Sequence, residues 1–151
     1  MELFFRDYFD HLQKLHAEIE RLLEGLPQAA LDWTPGNGMN SLGVLAVHVA
    51  GAERYWIGDV IAGESSNRNR EDEFLAQGRD AVMLSESLNA SLTYSRAVLE
   101  SLRLQDVHDQ RVSPRDGRQF SVGWALNHAL EHIALHLGHM QITCWFWEQS
   151  Q

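Results

Sequence analysis

Four stretches of the 151-residue chain place apolar residues at alternating steps of three and four, and the three prolines, Pro27, Pro35 and Pro114, fall between these stretches. Such spacing puts the apolar residues on one side of an α-helix, so the chain is committed to long amphipathic helices that must pack on one another. In the first stretch Phe5, Tyr8, Leu12, Leu15, Ile19, Leu22 and Leu26 form a stripe over about residues 2–25, stopped near Gly25 and Pro27. The second is capped by Ser41 or Asn40, carries Leu42, Leu45, Val49, Ala52, Trp56 and Val60, and ends by Gly63. The third takes Leu84, Leu88, Leu92, Ser95, Leu99 and Leu102. The fourth, capped by Ser121, runs through Val122, Leu126, Ala129, Ile133, Leu137, Met140, Cys144 and Trp147. Between the third and fourth, Asp116-Gly117 predicts the tight turn of a short hairpin joining Arg111-Val112 to Gln119-Phe120.

Four such helices predict an all-α four-helix bundle, formed by residues 1–151 as a single domain. The polar segment 63–79, GESSNRNREDEFLAQGR, has no period and reads as a surface connection. It is long enough to run back along the bundle, which permits a parallel second and third helix and hence an up-down-down-up order. Acidic residues outnumber basic ones to give a net charge of −9, which argues against nucleic acid or an anionic membrane as partner. No apolar run reaches the roughly 18 residues of a membrane span. The opening MELFFRDYFDHL intersperses acids among its apolar residues, unlike a signal peptide. A single cysteine, Cys144, forms no intrachain disulfide, and the expected compartment is the cytoplasm.

Eight histidines are many for this length, and five of them fall where chemistry is possible: His48 on the second helix, and His128, His132, His136 and His139 on the fourth. At about 100° per residue, His128, His132 and His136 form a ladder on the border of the apolar stripe, with a rung about every 6 Å. Imidazoles at i and i+4 can share one metal ion, giving two pairs, 128/132 and 132/136. In an up-down-down-up order the first part of the second helix, with His48, lies beside the later part of the fourth, which favours 132/136. Three neutral imidazoles with an open fourth position describe a catalytic-type divalent-metal site. The competing reading is that these histidines pack in the core or at an interface and bind nothing. His11, His16 and His108 read as surface residues, and Glu53 and Glu131 as charges that are solvated or support a ligand imidazole. Trp33, Tyr55 and Trp56 are candidate walls of a pocket, and Cys144 a small buried hydrophobe.

His48 within SLGVLAVHVAGAERYW and the segment EHIALHLGHMQI at 131–142 resemble the DinB-like (DinB/YfiT-like) family. The likeness extends over the long first helix, Trp33-Thr34-Pro35, Glu53 and Trp56, and the ending made by His132, His136, Gly138 and Gln141. It implies an up-down-down-up bundle and a divalent metal, typically nickel or zinc, on His48, His132 and His136. It leaves His128 and His139 as extras. It further implies a metal-dependent thiol S-transferase or hydrolase, in which a small thiol or water is activated against a small electrophile. The alternative is a metal-binding or dimerisation module without turnover. Five tryptophans and flanking aromatics exceed what one such bundle buries, so a homodimer is expected.

Overall fold

A computed structural model describes residues 1–151. Helix α1 spans Leu3–Leu23, a single turn α2 Gln28–Leu31, and α3 Leu42–Glu53. Without a break α3 widens into a π-helical stretch, Arg54–Ala62, and Gly63 ends it in the left-handed conformation at φ 73°. A second single turn, α4, covers Arg70–Glu73, α5 covers Ala81–Ser101, and α6 covers Val122–Gln149. A 3₁₀ turn at Leu104–His108 leads into strands β1 (Gln110–Val112) and β2 (Gln119–Ser121). These pair antiparallel, Arg111 opposite Phe120, with Gly117 supplying the positive φ of the turn. Three of the four long helices begin on side-chain caps: Ser41 accepts from the Val44 N–H at 3.2 Å, Asp80 from Met83 at 2.9 Å and Ser121 from Trp124 at 3.1 Å, whereas α1 starts at Glu2 without one.

Side-chain pairings set the direction of each helix. Tyr8, early in α1, donates to the Leu126 carbonyl early in α6 at 2.6 Å, so these two run parallel. Ser91 of α5 reaches the Ala50 carbonyl of α3, and Ser95, one turn later, reaches Glu53, so α3 and α5 are also parallel. Asn89 meets Glu20 while Arg96 lies over Phe9, which makes α1 and α5 antiparallel. The order is therefore up-down-down-up, and residues 63–80 carry the chain back along the bundle.

The crossover also covers one side of α3, and this explains why that helix is buried almost all round, from Leu42 to Glu53. The core joins Phe5, Leu12 and Ile19 of α1 to Leu84, Leu88 and Leu99 of α5 and to Leu126, Ile133 and Met140 of α6. Two expectations are corrected here. Segment 63–79 is not featureless, because α4 lies within it and brings Glu73 into the interior. His16 and Glu53 are not surface residues: they are 2% and 1% exposed and meet at 2.6 Å across the bundle diagonal. The stripe of α1 passes between positions 15 and 16. The structure turns His16 inward, and leaves Leu15 half-buried, because Glu53 and Ser95 supply polar partners inside.

Candidate metal centre

The buried second turn of α3 carries His48, and the core-bordering side of α6 carries His132 and His136 one helical turn apart. Antiparallel packing of these helices aims all three rings at one point. His132 Nε2 lies 3.1 Å from His48 Nε2 and 3.2 Å from His136 Nε2, and ligand nitrogens of the three residues lie within 4.8 Å of one another. Two nitrogens held about 2.0–2.1 Å from a tetrahedral ion are separated by about 3.3 Å, close to these spacings.

Protons on this cluster are limited. Glu73 Oε2 accepts from His48 Nδ1–H at 2.8 Å, which leaves His48 Nε2 with a lone pair directed at the cluster. Burial alone would raise the Glu73 carboxyl, but hydrogen bonds from Arg68 and His48 outweigh it and hold the group below the usual carboxylate range. Arg68 grips both Glu73 oxygens, with Nη2 at 2.7 Å from Oε2. Burial, reinforced by the neighbouring rings of His136 and His48, pulls His132 down to about 3. Burial and the rings of His48 and His139 pull His136 down to about 4. At neutral pH both rings are therefore uncharged, and their inward nitrogens crowd together with too few protons to pair them all. The donor set suits a borderline divalent cation such as zinc or nickel.

The remaining histidines stand apart from this point. His128 stacks on Trp124, centroids 4.8 Å apart and planes at 12°, and meets the edge of Trp56, while its centroid is 6.1 Å from that of His132. His139 is exposed and its Nδ1 lies 3.4 Å from His136 Nδ1, on the side away from the cluster. Neither Glu53 nor Glu131 supports a ligand imidazole: Glu53 bonds His16 and Ser95, and Glu131 is exposed. Trp33 packs on Trp147 at 5.8 Å and takes no part in the site, whereas Trp56 does. Cys144 is half-buried beside Glu148.

Glu73 is the residue the sequence concealed. It sits in a charged run, Arg68–Glu73, where it looks no different from Glu71 or Asp72, and only the apolar Phe74 closing the run hints that it docks. Docking depends on Gly51 of α3. A Cβ there would collide with Glu73 Oε1 and lie 3.2 Å from Arg68 Nε. Because Glu73 is pinned by both Arg68 and His48, Gly51→Ala is expected to displace it from His48 Nδ1. Metal affinity should then fall roughly 10–100-fold with helix content retained, measured by competition with a chromophoric chelator. Unchanged affinity would show that Glu73 does not orient His48.

Beside the cluster opens a cavity of about 180 Å³ lined by His48, His128, His132, Ala52 and Trp56 on one side and by Arg68, Arg70 and Arg115 on the other. The cluster is thus reachable from solvent along one side. The π-helical stretch begins directly below, a feature common beside functional sites.

An up-down-down-up bundle with three imidazoles converging from two of its helices defines a recognisable class of small α-helical proteins. The family model for mycothiol-S-transferase matches residues 7–143, and the chain belongs to this family of DinB-like proteins. Among solved structures, a conserved protein from Enterococcus faecalis is similar at 15% identity over 97% of both chains, with a TM-score of 0.80. YfiT from Bacillus subtilis, described as a probable metal-dependent hydrolase with an unusual four-helix bundle topology, is similar at 14% identity. That match covers 93% of this chain and 87% of YfiT, with a TM-score of 0.67. The mycothiol-dependent maleylpyruvate isomerase is similar at 14% identity over 88% of this chain and 59% of its own, with a TM-score of 0.64. At such identities these likenesses establish the shared fold. A search of the curated proteins finds no significant match. No helix is long and apolar enough to cross a membrane.

Proposed function

We propose that this protein is a divalent-metal-dependent enzyme in which His48, His132 and His136 hold the ion through Nε2, and which transfers a small thiol to, or hydrolyses, a small electrophile. The observation that carries this reading is the convergence of three inward imidazole nitrogens beside an open cavity. Nickel and zinc fit the three-nitrogen donor set. A bound ion supplies Lewis-acid chemistry, lowering the pKa of a thiol or water so that it attacks at neutral pH. The chain's own groups do the rest. Glu73 sets the tautomer of His48, and Arg68 holds Glu73. Trp56 excludes water from one wall. His128 is the non-coordinating base in the cavity, and burial lowers its pKa so that it is neutral and free to accept the proton a thiol gives up. Membership of the mycothiol-S-transferase family supports a low-molecular-weight thiol as one substrate, and such a thiol suits the cytoplasm.

The test uses the protein purified without an affinity tag, stripped and reloaded with cobalt(II). Addition of 2-mercaptoethanol is expected to produce a thiolate-to-cobalt charge-transfer band at one ion per chain. Absence of stoichiometric metal, or of the band, overturns the reading.

The same reading includes a homodimer. Leu135, Ile142, Trp145 and Phe146 share the outer side of α6 and are 55%, 54%, 56% and 42% exposed. Apolar surface of this kind is usually covered by a partner. A dimer mass by light scattering at micromolar concentration is expected, and a monomer mass counts against it.

A further inference from the structure

The cavity at the histidine cluster concentrates positive charge in a protein that is otherwise acidic. Of 12 basic residues in a chain of net charge −9, three arginines, Arg68, Arg70 and Arg115, line it, and the same three line a second cavity of about 230 Å³ alongside. Arg68 is neutralised by Glu73. Arg70 has no acidic group within 4.0 Å. Arg115 has only Asp116 at 3.7 Å, and Asp116 is bound more closely by Arg118 at 2.8 Å. Two guanidinium groups are therefore left without a close counter-ion at the mouth of a site whose proposed ion adds two more positive charges.

Both are placed by aromatic rings. Arg70 lies 4.8 Å over Phe74, whose ring is 5.0 Å from that of His48. Arg115 lies 5.7 Å from the Tyr55 ring, and the Tyr55 hydroxyl is bonded at 2.8 Å to Ser113 of the same hairpin turn. Two segments far apart in sequence, the crossover and the hairpin, thus deliver one planar donor each to the same cavity. Planar guanidinium forks match carboxylate oxygens in geometry as well as charge.

We propose that Arg70 and Arg115 bind a carboxylate of the substrate, so that the enzyme acts on a small organic acid or uses a thiol that carries one. The proposal rests on the metal-thiol reading above and specifies what that site selects. The test compares 3-mercaptopropionate with uncharged 2-mercaptoethanol on the cobalt-loaded full chain, reading affinity from the charge-transfer band. Succinate, which has no thiol, is titrated by calorimetry with and without saturating 2-mercaptoethanol. If the carboxylate belongs to the thiol, 3-mercaptopropionate binds about tenfold tighter, as one partly exposed charge-assisted contact provides. The Arg70→Gln/Arg115→Gln pair then brings the ratio to about one, and Arg96→Gln on α5 leaves it unchanged. If the carboxylate belongs to the electrophile, the thiol ratio is near one, but succinate binds alongside 2-mercaptoethanol and the double variant loses it. A thiol preference or succinate affinity that survives in the double variant assigns the effect to the metal and overturns the proposal. So does a ratio near one with no succinate binding. Absence of a band with either thiol fails the metal-thiol reading separately, and succinate titration of wild type against the double variant still decides the role of the arginines.

Discussion

His136→Ala is expected to abolish stoichiometric metal binding while leaving helical content intact. The ring borders the core but fills none of it, so its loss opens no internal cavity. What it removes is one of three nitrogens that meet at a point, leaving His48 and His132, and two imidazoles hold a divalent ion far less well than three. The loss should exceed the roughly 10–100-fold range typical of groups that only orient a ligand. His132→Ala should be at least as severe, because its Nε2 lies next to both other rings, at 3.1 and 3.2 Å. His128→Ala and His139→Ala provide the contrast. His128 is held in the aromatic stack of Trp124 and Trp56, and the hydrogen-bond contact of His139 is to the outward nitrogen of His136. Both should change affinity by less than about tenfold. A titration on the four single variants decides the matter. Loss of metal in His128→Ala with retention in His136→Ala would move the site by one helical turn.

The second large effect concerns stability and lies on the bundle diagonal, outside the proposed metal centre. His16 of α1 and Glu53 of α3 have side chains 2% and 0% exposed, joined at 2.6 Å, and Ser95 of α5 donates to the other Glu53 oxygen at 2.6 Å. Three helices are tied together through one carboxylate. Removing one partner strands the other in the core, and such losses cost about 3–5 kcal/mol, far more than the pair adds when intact. His16→Ala and Glu53→Ala should each lower stability by that amount, equivalent to a fall in Tm of roughly 6–20 °C for a domain this size. Joint replacement by His16→Leu and Glu53→Met, which releases only the Ser95 hydroxyl, free to turn back onto a carbonyl of its own helix, should recover most of the loss. Denaturant unfolding of the singles and the double measures the coupling directly. Single variants as stable as wild type would mean that water reaches this cluster and that it does not hold the helices together.

Much of the architecture is legible in the sequence. The helices follow from apolar spacing, their starts from Ser41 and Ser121, and the hairpin from Asp116-Gly117, because each is decided by groups within a few residues of one another. Even the pairing of His132 with His136 is local, since four residues along a helix are one turn apart. What the chain alone does not display is which distant segment satisfies a buried polar group. Glu73 reaches His48 from a run of charges that reads as solvated surface. His16 lies beside an apolar stripe and would stay in water were it not for Glu53, 37 residues away on the opposite helix. Arg70 and Arg115 share a cavity only because the crossover and the hairpin converge on it. Burying a polar or charged group is unfavourable unless a partner is in place, and that partner is chosen by packing, not by neighbours in sequence. The helices and the candidate ligands were therefore written locally. The orientation of those ligands, the charge of the cavity beside them and the polar tie across the core were decided only when the bundle closed.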